Sequence, residues 1–487
     1  MPLDIIAVLP ELLLFIGSMG LLMLGVFARG DVVRSTNYAA LGLLALAALL
    51  VMTGPMLSGR EYTAFNGSFI VDRFAIFMKV LTFAATALAI VLAQSFMARE
   101  GLARFEYAVL LLLAATGMSM MISANDLIAL YMGIELQSLS LYIITVINRE
   151  NRRAAEAGLK YFVLGALSSG LMLYGMSLIY GFSGTTQFAE IAEVLRAAET
   201  LPAPHVIGLV FLLAGLAFKL SAVPFHMWTP DVYEGAPTPV AAFLAAAPKL
   251  AAMAVLIRLA FVAFPDALPA WQQIAVFIAA ASMLLGSFAA IGQSNIKRLM
   301  AYSSIGHIGF ALTGLAAGSQ VGVTAIIVYM LLYTVMTLGA FACILSMRRE
   351  NGMAEQISDL AGLHRAQPYM AACLAIFMFS MAGLPPLAGF FGKLFVLRAA
   401  IDSELYVLAV LGVISSVVAA YYYLRIVKII YVDAPAEETL IPMPRELVFT
   451  AGIAAAFVLL FFVWPLPFVS LAHEAGSAFF GAFPEIR

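Results

Sequence analysis

About fourteen apolar runs of roughly 20 residues each constrain this 487-residue chain more than any motif in it. They fall at 5–27, 38–57, 74–97, 105–122, 127–147, 158–182, 206–225, 239–262, 271–291, 299–317, 321–346, 369–397, 405–431 and 447–470. About 20 helical residues cross a hydrocarbon core roughly 30 Å thick. Lipid offers the backbone no partner, so each crossing segment must satisfy its own N–H and C=O groups, as a helix does. The alternating pattern of a membrane barrel is absent. The expected fold class is therefore an all-α polytopic membrane protein. Composition agrees, because only 11% of residues are charged and the mean hydropathy is +1.00, whereas soluble domains carry about 25% charge.

Orientation follows from the connections. Those after odd-numbered runs hold fifteen Lys and Arg residues, among them Arg29, Arg152, Arg153, Lys297 and Arg298. The other side holds six, Arg60, Arg73, Arg196, Arg258, Arg398 and Arg487. Basic residues stay inside, so both termini are expected on the periplasmic side of a bacterial inner membrane. The first run is too long for a removed signal peptide and lacks a basic leader and a clear cleavage site. The longest connections, 183–205, 347–368 and 432–446, cannot hold a soluble domain. A net charge of −2 with no basic domain excludes nucleic acid as an expected partner. Cys343 and Cys373 stand alone in apolar runs, too few for an iron–sulfur cluster, which takes four ligands. "PLAGFFGKLF" has Leu387 where a phosphate loop needs its first glycine, and Leu394 where it needs Ser or Thr. No metal or cofactor site is expected in this chain.

Four ionisable residues nonetheless lie well inside apolar runs. They are Glu135 in "YMGIELQSLSLY", Lys219 in "AFKLSAVPFHMW", Lys249 in "AAFLAAAPKLAAM" and Lys393 in "GLPPLAGFFGKLF". Each costs on the order of 3 kcal/mol at the centre of a spanning helix, and four on four different runs mark a path for charge. Lys79 and Glu11 lie nearer run ends, where Lys79 can snorkel outward. Pro224 denies the Leu220 carbonyl its helical partner, and Pro385 and Pro386 do the same for Met381 and Ala382. Broken helices at corresponding places in two halves point to inverted repeats. Runs four to eight and nine to thirteen then form two five-helix sets with runs seven and twelve broken, and "AGL" occurs near both breaks, at 214–216 and 382–384. Lys249 is expected on an unbroken helix between them. The chain divides into 1–104 (three N-terminal helices), 105–262 (first repeat), 263–431 (second repeat) and 432–487 (a loop and the fourteenth helix).

"PFHMWTPDVYEGAPTPV" resembles the signature of the antiporter-like subunits shared by complex I (proton-pumping NADH–quinone oxidoreductase), Mrp-type sodium/proton antiporters and membrane-bound hydrogenases. "AAFLAAAPKLAAM", "MGIELQSLSLY", "KRLMAYSSIGHIGF" and "FSMAGLPPLAGFFGKLF" are similar to the N-type family of complex I subunits. The resemblance covers about residues 70–430. It implies that Glu135 and Lys219 form a coupled ion pair, that Lys249 is the central relay lysine, and that Lys393 is the terminal proton donor. His226 and His307 are then candidate connectors. Lys160 is either a point where protons enter or only a positive-inside charge. The resemblance also implies a proton-translocating membrane-arm subunit of a respiratory NADH:quinone oxidoreductase, of the translocase class. NADH, FMN, iron–sulfur clusters and quinone would reside in partner subunits. Those partners would include a flanking antiporter-like subunit and small membrane-arm subunits. Asp126 reads simply as a helix cap, and His205, His364 and His473 receive no role.

The chemistry stands beside the resemblance. Two unit charges about 4 Å apart at an effective dielectric near 20 interact by roughly 4 kcal/mol. A lysine held charged by a carboxylate becomes a proton donor when the pair separates, and a second buried lysine can accept. Moving one charge against the membrane costs about 2.3 kcal/mol per 100 mV, and nothing in the chain supplies it, so partner subunits must. Two other readings stay open here. One is an Mrp-class cation/proton antiporter subunit; the other is a non-transporting membrane scaffold.

Overall fold

The computed structural model describes residues 3–28, 30–53, 61–198, 201–350, 352–435 and 440–480. Arg29, Arg60 and Arg487 lie outside the described residues. Among the described residues every apolar run is largely helical. In chain order the helices are α1 Leu9–Phe27, α2 Val32–Thr53, α3 Arg73–Arg99, α4 Glu106–Ile122, α5 Leu127–Thr145 and α6 Arg152–Ser183. There follow α7 Ala203–Leu220, α8 Thr238–Ala263, α9 Leu268–Ile291, α10 Ile296–Ala316, α11 Gln320–Leu345, α12 Pro368–Ala382, α13 Tyr406–Tyr431 and α14 Arg445–Leu460. Among the described residues, eleven helices are long and apolar enough to cross a membrane, with Glu106–Ile122 and Pro368–Ala382 as shorter apolar helices.

Both expected breaks are present and are built alike. α7 stops at Leu220 and resumes as Thr229–Gly235; α12 stops at Ala382 and resumes as Ala388–Asp402. Ser221 (φ 63°) and Gly383 (φ 87°) take the left-handed conformation. Ala222 N–H donates to Ala217 O at 2.8 Å and Ser221 N–H to Phe218 O at 3.0 Å; Leu384 N–H donates to Phe379 O at 3.1 Å and Gly383 N–H to Ser380 O at 2.9 Å. Both are the same paired C-terminal closure. Gly383 is required twice over, because a Cβ there would also meet Lys393 Cδ at 2.9 Å.

A second pair of features fixes the register of the repeats. Asp126 caps α5 and bridges Gln187, while Asn295 caps α10 and bridges Gln356. In each case the second helix of a set starts beside the connection between the third and fourth. Counting from these caps, Glu135 corresponds to Ser304 and Ser138 to His307. The "AGL" letters do not share this register: 214–216 lies inside α7, whereas 382–384 is the break itself. The first two helices of each set pack closely. A Cβ on Gly133 would meet Met121 N at 2.7 Å, and one on Gly286 would meet Gly306 N at 2.5 Å.

Three expectations need correction. α8 is interrupted at Ala246 (φ −112°, ψ −88°). Pro248 has no N–H to give, and its ring crowds the carbonyl four residues back. Arg258 is no loop residue; it lies buried inside α8. Lys79 does not snorkel. It is buried and bonded to Glu11 at 2.6 Å, and Glu11 also accepts from Ser119 Oγ at 2.5 Å. The connection at 183–205 holds an amphipathic helix, Phe188–Ala197, whose buried Phe188, Ile191, Ala192 and Leu195 share one face. α8 is buried throughout and α10 nearly so, as expected where two repeats meet around apolar helices.

Candidate functional site

Lys219 occupies the last turn of α7, buried, two residues before the break. Its Nζ donates to Ser138 Oγ on α5 at 2.7 Å, and that hydroxyl donates to Ile134 O at 2.6 Å. Glu135 lies one turn back on α5, close enough for its charge to act on Lys219. The two do not make a contact ion pair; Ser138 holds the ammonium, and Glu135 Oε1 is buried without a hydrogen-bond partner. An unmatched buried acceptor costs about 1–3 kcal/mol, so Glu135 Oε1 has room for a hydrogen bond from a water or from the ammonium itself. Trp228 Nε1 donates to Phe218 O at 3.0 Å and so covers a carbonyl at the end of α7.

Lys249 sits just past the Ala246 interruption, fully buried, and donates to Ser304 Oγ on α10. Ser304 bonds Tyr333 OH on α11 at 2.6 Å, and Tyr333 donates to Ala245 O at 2.9 Å. That carbonyl lies at the interruption, so the break that frees it also closes the loop of bonds around Lys249. The Tyr233 ring lies 5.7 Å from the Lys249 ammonium.

His307 is one turn beyond Ser304. Its Nδ1 pairs with Tyr329 OH at 2.7 Å and its Nε2 with Tyr423 OH at 3.1 Å; Tyr423 also bonds Ser303 at 2.5 Å. Both the Lys249 and the Lys393 charges act on this imidazole. Lys393 lies in the resumed half of α12. It donates to Ser416 Oγ on α13 at 2.9 Å and to Ala382 O at 2.9 Å, a carbonyl that Pro386 leaves without its helical partner. The ammonium lies 5.0 Å from the Phe310 ring. Ser304, His307 and Phe310 follow one another at intervals of three on α10, so adjoining sides of this helix meet Lys249 at Ser304 and Lys393 at Phe310.

The structure therefore brings Lys249 and Lys393 to α10, which carries His307, and sets Lys219 against α5, which carries Glu135. It does not bring in His226, which is half-buried with Nδ1 unpartnered and bonds none of these groups. Lys160 is part-exposed and pairs with Glu156 and Asp231, both at 2.8 Å; Asp231 and Glu234 in turn bind Arg298. A cavity of about 580 Å³ borders Glu234–Thr238 on the basic face, lined by Asn151, Arg153, Lys297 and Glu355 among others. Sequence reasoning missed the hydroxyls Ser138, Ser304, Tyr329, Tyr333, Ser416 and Tyr423. Only "YSSIGH" and the i, i+4 spacing of Tyr329 and Tyr333 hinted at them. Among the described residues no group of three or more His, Cys, Asp or Glu could hold a metal ion.

Residues 124–419, which hold both breaks together with Glu135, Lys219, Lys249 and Lys393, match the family model described as NADH:quinone oxidoreductase/Mrp antiporter, TM. The fold and site are thus those of an antiporter-like membrane subunit. The NADH-quinone oxidoreductase subunit N of Parvibaculum lavamentivorans is 58% identical over 475 residues, covering 98% of each chain. A chain of respiratory complex I from Thermus thermophilus is 32% identical with a TM-score of 0.81, covering 95% of this chain and 99% of that one. A chain of the Mrp complex from Dietzia sp. has a TM-score of 0.87 at 22% identity, covering 100% and 99%, and shares the fold. The chain belongs to the NADH-quinone oxidoreductase subunit N family.

Proposed function

We propose that this chain carries protons across a bacterial inner membrane through Lys219, Lys249 and Lys393, with Glu135 and His307 as partners. It works as a membrane-arm subunit of an H⁺-translocating NADH:quinone oxidoreductase, in the translocase class. NADH oxidation and quinone reduction occur in partner subunits that hold the FMN and iron–sulfur clusters. The observation that carries the reading is the bonding of the three lysines. Each ammonium is buried and held by a neutral hydroxyl or carbonyl instead of a contact carboxylate. Such a lysine is not locked in its charged form, and hydroxyls and an imidazole can pass a proton onward. The inner cavity borders the stretch that begins one residue after Tyr233 and gives water a way toward it. Both termini lie on the periplasmic side.

The test is proton uptake and NADH oxidation in inverted membrane vesicles. Lys219→Met and Lys249→Met keep the apolar stem and remove the titrating group. Each lowers coupled turnover at least about tenfold, about 1.4 kcal/mol in barrier, with the complex still assembled. The double variant is little worse than either, because groups acting as one unit are non-additive. Arginine at any of the three sites also fails, since it does not release its proton in a protein. Full activity for all three Lys→Arg variants would overturn the relay.

A further inference from the structure

The stretch Ala247–Arg258, "APKLAAMAVLIR", carries only two polar side chains, one near each end. Lys249 and Arg258 are nine positions apart, about two and a half helical turns, and so emerge on opposite faces. The stretch is bounded by the Ala246 interruption on its inner side and by a wider π-helical turn, Leu259–Ala263, on its outer side. It is a short strut with a break at either end. Lys249 reaches α10 from one face, whereas Arg258 reaches the N-terminal helices from the other.

The Arg258 end is fully engaged. Its guanidinium grips Asp72 with both arms, at 2.8 and 3.1 Å, and its Nε donates to Ile122 O at the end of α4 at 3.2 Å. The rings of Phe74 and Phe479 each lie 5.5 Å from it. Asp72 is itself fixed, since it caps α3 by accepting from Ala75 N–H at 2.6 Å. A two-armed pair sets rotation as well as height. Apolar residues of similar volume would usually hold such a buried joint as well or better, so the cost of the pair asks for another reason.

We propose that the Asp72–Arg258 pair is a positioning device for Lys249. It holds the strut at the height and rotation that keep the Lys249 ammonium on Ser304, and it rests on the reading of Lys249 as a relay group. The charged and titratable groups around the pair are Glu61 and Arg73; those around Lys249 are Tyr233, Tyr333 and, farther off, His307. Burial and the Asp72 charge raise the Glu61 carboxyl, while Arg258 and Arg73 act the other way.

The experiment uses the whole complex in membranes and compares Asp72→Leu/Arg258→Met, Arg258→Lys, Asp72→Glu and Lys249→Met. Amount of assembled complex, NADH oxidation, proton uptake and the pH profile of turnover are measured. The apolar double variant should assemble yet lose at least about fivefold in coupled turnover, with a displaced pH profile; Asp72→Glu should keep most of both. Wild-type turnover and an unchanged profile in the assembled double variant overturn the proposal. Should that variant not assemble, Arg258→Lys decides, since it keeps the charge and loses the fork. A displaced profile supports the positioning role, and an unchanged one overturns it. Lys249→Met separates the two readings. Normal pumping there removes the relay itself, whereas its failure beside wild-type positioning variants removes only the role of the pair.

Discussion

Lys249 donates to a serine, and in the proposed relay that choice of partner matters. A carboxylate would hold the ammonium charged, whereas the Ser304 hydroxyl accepts from either form and passes the bond to Tyr333. Ser304→Ala is expected to lower coupled turnover about tenfold with assembly intact, while Ser304→Thr retains most of it; NADH oxidation in membranes with normal complex content checks both. Glu135 makes the complementary case. Glu135→Ala removes the charge that acts on Lys219 and should depress NADH oxidation and pumping together, by about fivefold or more. Glu135→Asp should keep part of each, and wild-type turnover in an assembled Glu135→Ala complex would mark the carboxylate as structural. The four charged residues were legible in the sequence because nothing else in apolar helices costs as much to bury. Their hydroxyl partners were not. A Ser or Tyr in a membrane helix carries no such penalty, and many simply bond the preceding turn, as Ser138 does to Ile134. The same limit hid the Glu11–Lys79 and Asp72–Arg258 pairs, whose members lie far apart in the chain and meet only when α1, α3 and α8 are packed.

At the scale of elements, prolines revealed the breaks of α7 and α12 before any coordinates, because a missing N–H is a property of one residue. The interruption of α8 rests on the same chemistry at Pro248, yet the uniform apolar run around it concealed the effect. Close helix pairs were less visible still, since glycine also serves turns and loops. α4 and α5 approach until a Cβ on Gly133 would lie 2.7 Å from the Met121 backbone nitrogen. Backbone cannot step aside as a flexible side chain can. Gly133→Leu is therefore expected to force the pair apart at a cost of about 1–3 kcal/mol or more, lowering the amount of assembled complex. Gly20→Ala, with nothing within 4 Å of the new Cβ, should leave it unchanged. Immunoblots of complex content in membranes distinguish the two.

For the whole molecule, the inverted arrangement was legible only in outline. The proline breaks gave the right pairing of helices, but the true register came from the matched bridges Asp126–Gln187 and Asn295–Gln356, which no repeated letters announce. Helix number and basic-residue bias together give orientation, and orientation can be measured directly. Cys343 and Cys373 are both buried, so a membrane-impermeant maleimide should find little native thiol to label. Glu193 is exposed on the amphipathic helix Phe188–Ala197 between α6 and α7, and Glu150 is exposed in the turn between α5 and α6. Six crossings from an outer N-terminus place Glu193 outside, while five place Glu150 inside, beside Arg149, Arg152 and Arg153. Glu193→Cys is then expected to label in intact cells stripped of their outer membrane. Glu150→Cys should label only after the inner membrane is opened or in inverted vesicles. The reverse pattern would invert every helix and put the 580 Å³ cavity on the periplasmic face. A single crossing more or fewer before Glu150 would reverse both labels in the same way, so what the pair reads by itself is that α6 crosses once between Glu150 and Glu193.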